Sequence, residues 1–293
     1  MKIERKKRKS VLNRKSPVEK ALYVFVSTIF AVIAASYIYI VVWTFVSSLK
    51  THTEIVMDPF SLPEVWNWVH FKEMVSLFTV NGHGFWEMLF NSVWFSVGGA
   101  FLQHITTITF AYCCTKYEFP GSKLAYPIVL IMTTLPLYGN SGATYRIIDG
   151  MGLINNYAHV LLSISGFTTA YLYYSAFFKG LSWTYAEAAM MDGAGDLQIY
   201  TRVMFPQAKP IFTALFLTTW LSSWNSYESA LVYLGDLPSL PVGIYQFNQE
   251  MIYQARLDIL FAACLVVTIP ALIIFIIFNK VLTTNVSLGG IKG

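Results

Sequence analysis

Charge is scarce in this 293-residue chain: Asp, Glu, Lys and Arg together supply 12% of it. A soluble domain carries roughly twice that share, so an ordinary water-soluble globule is excluded. Cysteine is scarcer still. Cys113, Cys114 and Cys264 form no even set and stand at no metal-ligand spacing from histidine, which excludes a disulfide framework and a zinc site. The five histidines, His52, His70, His83, His104 and His159, contain no i, i+4 pair, and no G-x-x-x-x-G-K-[ST] run is present to cradle a nucleotide phosphate. Paired carboxylates and an activated Ser or Cys are also missing, which removes a membrane-embedded enzyme. The chain is therefore expected to bind no metal and no cofactor of its own. The net charge of +4 comes largely from the N-terminal tail, so nucleic acid is not an expected partner.

What the chain has is apolar length. It is 55% hydrophobic, with a mean hydropathy of +0.52. A span needs about 20 mostly apolar residues, and six segments qualify: 21–49, 86–114, 123–142, 157–179, 208–234 and 258–280. The third is interrupted by Pro136, Gly139, Asn140 and Gly142. The expected fold is all-α, a polytopic membrane protein with six transmembrane helices. A basic segment at 1–20 precedes the six-helix domain at 21–280, and a tail at 281–293 follows. The first apolar run exceeds a signal-peptide core of about 7–15 residues and is read as an anchor. Lys and Arg between positions 2 and 20 place the N-terminus in the cytoplasm. Lys116, Lys123, Lys179, Arg202, Lys209, Lys280 and Lys292 then also fall inside, against Lys50, Lys72, Arg146 and Arg256 outside. The basic tail suits anionic membrane lipid.

The loop at 181–206 carries the densest signal. Glu187, Ala188, Ala189, Met190 and Met191 favour helix, Gly193 and Gly195 permit a sharp break, and Asp196 suits the start of a second helix that Pro206 interrupts. Thr184 with Glu187 reads as a capping box. Here the segment EAAMMDGA with its following Phe-Pro and Pro resembles the EAA motif of inner-membrane permease subunits of binding-protein-dependent ABC importers. FNSVWFSV (90–97), AYCCTKYEFPG (111–121), GLINN (152–156), WNSYESALVYL (224–234) and LPVGIYQF (240–247) resemble the carbohydrate branch. NVSLGGIKG (285–293) is similar to the tail of the maltose-type second permease. The sequence is most similar to permeases of polysaccharide-derived oligosaccharide importers, a group that includes alginate-type systems. It departs at Ser182 and Thr184, where the family has Pro and Glu, and at Asn285, where it has Gly.

The resemblance implies a type I importer permease. Its partners would be a second homologous permease in a heterodimer, two subunits that hold ATP and Mg, and an external solute-binding protein. Residues Glu187, Ala188, Ala189, Asp192, Gly193, Ala194 and Pro206 would form the coupling elbow seated in the ATPase. Glu187 reads equally as a contact for a basic group there and as a favourable first-turn residue. Ser287, Gly289, Gly290 and Lys292 would reach the ATPase interface, against a default of disorder for such a tail.

For the solute route, Asn91, Gln103, His104, Asn225 and Glu228 are costly at membrane depth and normally face protein or water. Asn225 and Glu228 are three apart, on one face of a helical fifth span. With Trp224 and Tyr227 they offer a sugar both stacking and hydrogen bonds, although such residues also anchor or pack spans. Gly98, Gly99 and Ala100 suit close helix packing. Pro136 and Pro270 suit bends. The loop at 50–85, with Pro59, Pro63, Trp66, Trp68 and Phe71 among acids, suits docking of the solute-binding protein. A self-sufficient secondary transporter or channel is the competing class. It would carry internal repeats or an intramembrane charge relay, and neither is evident.

Overall fold

A computed structural model describes residues 16–135 and 141–285. Pro136, Gly139, Asn140 and the tail residues Ser287, Gly289, Gly290 and Lys292 lie outside the described residues. The first helix begins where the chain sets a complete cap. The Ser16 hydroxyl accepts the Glu19 N–H, and the Glu19 carboxylate accepts the Ser16 N–H at 2.9 Å. With Pro17 in the first turn, α1 (Pro17–Ser47) then runs 31 residues, about 46 Å at the α-helical rise.

The folded loop at 50–85 follows, with α2 (His52–Met57), α3 (Val69–Leu77) and a two-stranded hairpin, β1 (Thr79–Val80) and β2 (His83–Gly84). Asn81 and Gly82 both have positive φ, as a two-residue hairpin turn demands. The chain is then helical from Phe85 to Lys116: α4 (Phe85–Val93), a π-helical stretch at Trp94–Gly98, and α5 (Gly99–Lys116). The rest comprises α6 (Ser122–Thr134), α7 (Ser141–Gly150), a 3-10 turn (Tyr157–Ser163), α8 (Thr169–Gly180), α9 (Thr184–Met191) and α10 (Asp196–Gln198). A second π stretch (Ile199–Met204) leads into α11 (Phe205–Asn225), then α12 (Glu228–Tyr233), α13 (Leu240–Tyr253) and α14 (Leu257–Asn285).

Among the described residues, two helices are long and apolar enough to cross a membrane on their own, Pro17–Ser47 and Leu257–Ile277. The second expected span lies within continuous helix from Phe85 to Lys116, the third is helical over Ser122–Thr134, and the fourth and fifth are broken. The fourth splits into the 3-10 turn and α8, because the backbone between them is held by α5 instead. Thr106 and Thr107 donate to the Ser165 carbonyl at 3.1 and 2.7 Å, and Thr106 also accepts the Ser165 N–H. Gly166 lies so close to Phe110 that an added Cβ would stand 2.7 Å from the ring. The fifth ends at Asn225, where Ser226 turns extended, so Asn225 and Glu228 do not share a helix face as the sequence suggested.

Two large apolar clusters organise the packing, with a small third around Ala230, Leu234 and Val242. One gathers Phe78, Met88, Trp220, Trp224 and Phe247 beside the outer loop; the other gathers Tyr112, Tyr174, Phe178, Ile199 and Met204 beside the elbow. Gly98 and Gly99 allow the close approach read from the sequence, since Cβ atoms there would meet Val160 at 3.2 Å and Ser163 at 3.0 Å. Helix α13 packs Gly243 onto Phe78 and Met88, within 2.8–2.9 Å of where a side chain would begin. Gly243→Val is expected to lower stability by about 1–3 kcal/mol through overpacking, read as an earlier unfolding transition of the detergent-solubilised protein; an unchanged transition would refute it.

Candidate functional site

The elbow is built as a helix with a closed end. After α9, Asp192 caps and Gly193 enters the left-handed region at φ +78°. The Gly193 N–H then reaches the Met190 carbonyl at 2.9 Å and the Ala194 N–H reaches the Ala189 carbonyl at 3.0 Å. These are the two hydrogen bonds of a Schellman motif, and half-buried Ala189 and Ala194 supply its apolar pair. The left-handed backbone explains the glycine without any crowding: a Cβ at Gly193 would meet nothing within 4 Å.

Ala186 is buried on the inner face of α9, whereas Glu187, Ala188, Asp192 and Gly193 face outward. Met191 is 89% exposed and Leu197 74%, so the elbow offers apolar as well as acidic surface. Two expectations change here. No capping box forms, because Trp183 occupies the cap position and Thr184 is already helical; Ser182 accepts the Thr184 N–H instead. Pro206 does not interrupt the second helix. It falls in the first turn of α11, directly after the π stretch, and the chain stays helical through both.

The elbow is tied firmly to α5. Lys116 Nζ donates to the Leu181 carbonyl at 2.6 Å and lies over the Trp183 ring. The Tyr117 hydroxyl donates to Asp196 Oδ1 at 3.0 Å, and the Tyr200 hydroxyl pairs with Thr109 at 2.8 Å. A push on α9 therefore reaches both α5 and α11.

The suggested solute residues divide. Trp224, Asn225 and Tyr227 line a cavity of about 470 Å³ between α11, α13 and α14, where Ile244, Leu260, Cys264 and Val267 make the wall mostly apolar. Tyr227 stacks on Tyr245 at 5.0 Å. Glu228 lies apart, exposed in the first turn of α12. A second cavity, about 570 Å³, lies among α5, α6, α8 and α11, lined by Gln103, His104, Thr133, Thr168, Thr169, Tyr173, Thr218 and Thr219. No Lys, Arg, Asp or Glu lines it. Its wall includes the start of α8 just past the broken backbone, and non-helical backbone at membrane depth is stable only when buried in protein or lining a polar cavity. His104 is fully buried, bonded to the Tyr174 hydroxyl at 2.9 Å and to Thr219 Oγ1 at 2.8 Å. Asn91 is likewise buried, donating to the Pro238 carbonyl and accepting from the Tyr157 hydroxyl. Both therefore pin helices together. The signal for this cavity was available as Thr133 and the threonine pairs Thr168-Thr169 and Thr218-Thr219, in three separate segments.

The family model for binding-protein-dependent transport system inner membrane components matches residues 104–287. The chain belongs to this family. Its members are the permease components of ABC transporters, which carry no catalytic centre and sit in the inner membrane. The diacetylchitobiose uptake system permease protein NgcG of Streptomyces coelicolor is 30% identical over 252 residues, covering 84% of this chain and 82% of that one. The arabinooligosaccharides transport system permease protein AraQ of Bacillus subtilis is 25% identical over 96% of this chain and 99% of its own. A crystal structure of a bacterial ABC transporter involved in the import of the acidic polysaccharide alginate superposes with a TM-score of 0.76 at 20% identity. It covers 91% of this chain and 98% of that one, and shows that the fold is shared.

Proposed function

We propose that this chain is one wall of an oligosaccharide importer: it crosses the membrane six times with both termini in the cytoplasm and pairs with a second, homologous permease. Two partner subunits bind ATP and Mg and drive it through the elbow, while the outer loop receives a solute-binding protein. The observation that carries this reading is the Schellman-closed elbow, outward-facing at Glu187 and Gly193 yet fastened to α5 and α11. A flexible loop would absorb a partner's motion, whereas this one passes it on. With Glu187 changed to Cys, cross-linking to the cognate ATP-binding subunit is expected in the purified complex. Uptake by this polypeptide reconstituted alone would overturn the proposal in favour of a self-sufficient transporter.

The sugar route is assigned to the polar cavity. Hydroxyls and one amide suit sugar hydroxyls, Tyr173 gives a stacking face, and the lack of a cationic side chain favours a neutral oligosaccharide over an oligouronate. That choice agrees with the diacetylchitobiose and arabinooligosaccharide permeases it is similar to. Tyr173→Ala combined with Gln103→Ala is expected to raise the uptake KM about tenfold, on the order of 1.4 kcal/mol, while Tyr227→Ala changes it little. The reverse pattern in labelled-oligosaccharide uptake would move the route to the α11–α14 groove.

A further inference from the structure

A third cavity, about 400 Å³, opens where α5, α6 and α8 end beside the elbow. Two ammonium groups stand at its rim. Lys179 Nζ lies 4.4 Å from the Tyr126 ring centre, and Lys123 Nζ is only loosely paired, 3.7 Å from Glu118 on a fully solvated flank. Behind them the cavity wall includes Ser175, 1% exposed, whose enclosed hydroxyl has no hydrogen-bond partner. A buried hydroxyl left unpaired is costly, and a small oxyanion at the rim would satisfy it together with both lysines. The surroundings say what carries that oxyanion. Leu124, Ile128 and Ile131 form an exposed apolar row at i, i+4 and i+7 on α6, the helix whose first turns line the cavity with Lys123, Tyr126 and Pro127. A charged mouth at the foot of an apolar stripe is the profile of an anionic lipid, with its headgroup at the interface and its chains along the protein.

We propose that this cavity seats the phosphate headgroup of an anionic phospholipid, held by Lys123, Lys179 and the Ser175 hydroxyl. The proposal rests on the reading that α5, α6 and α8 cross the membrane. Tyr117, which holds Asp196 of the elbow, forms part of the same wall, so an occupied site would brace the elbow from the lipid side. Glu118 is the opposing group: its carboxylate competes for Lys123 and repels a phosphate.

The test is native mass spectrometry of the assembled transporter in mild detergent, titrated with phosphatidylglycerol, with phosphatidylcholine of the same chains, and with inorganic phosphate. Phosphatidylglycerol should be retained over phosphatidylcholine. Lys123→Gln with Lys179→Gln should weaken its retention about tenfold or more, given the contribution of each lysine near an anionic headgroup, and Glu118→Gln should strengthen it. Both lysines are exposed, so folding is not at stake. Equal retention of the two lipids, or no response to the lysine variants, overturns the proposal. Displacement of the lipid by millimolar inorganic phosphate overturns the lipid as occupant and assigns the cavity to free phosphate. Failure of the wild-type complex to insert into zwitterionic vesicles is a separate result, and it would remove the membrane-crossing reading instead.

Discussion

Gly193→Val is expected to leave the protein inserted and assembled while uptake and substrate-stimulated ATP hydrolysis fall to background. The residue sits at φ +78°, a region that costs a side-chain-bearing residue about 1–2 kcal/mol and a β-branched one more. Nothing in the chain lies within 4 Å of the missing Cβ, so the core is spared and the penalty falls on the backbone of the elbow. Releasing it opens the bonds from Gly193 to Met190 and from Ala194 to Ala189, and the end of α9 frays. Gly193→Asn separates backbone from bulk. Asparagine tolerates the left-handed region, so this variant should keep the turn and retain partial coupling. Near-normal ATPase stimulation in the valine variant would show that the elbow does not transmit the stroke.

Asp258→Ala is expected to cost about 3 kcal/mol and to free the outer loop. Asp258 is 4% exposed at the start of α14 and accepts from Arg256 Nε at 3.2 Å and faces His70 Nε2 at 3.3 Å. His70 Nδ1 meets the Ser48 carbonyl at 3.0 Å. Arg256 extends the set to Glu73 at 2.6 Å. Removing one member of a buried ionic set leaves another charge uncompensated, typically a loss of about 3–5 kcal/mol; the lower end applies because Arg256 is over a third exposed and keeps Glu73. Limited proteolysis of solubilised protein should then cut between residues 51 and 79 while the helices survive. Equal protection of wild type and variant would show that the cluster does not hold the loop.

Much of this was legible beforehand because it depended on local chemistry. The elbow followed from good helix formers ending at a glycine, and the close packing at Gly98 and Gly99 from residue size. What failed were inferences that required neighbours. The fourth apolar run looked like one helix, but whether a run stays helical depends on what else can hold its backbone, and Thr106 and Thr107 do so for Ser165 from far along the chain. Asn225 and Glu228 looked paired only while the helix between them was assumed continuous. Helix α13 escaped notice, although Pro241 in a first turn and the buried series Leu240, Gly243, Phe247 and Met251 are its signature. Asn81-Gly82 was likewise a hairpin signal on its own. The polar cavity was hidden because its threonines come from separate segments, and no single stretch shows more than a pair.

The ionic cluster that holds the loop at 50–85 joins positions far apart in the chain: Glu73 binds Arg256 across 183 residues. During synthesis the early half of that clasp must therefore wait, with its acids and histidine unmatched, until the segment carrying Arg256 and Asp258 has left the ribosome. Closure of that loop is thus a late, long-range event in biogenesis. Chains truncated before Arg256 should leave that loop open to added protease.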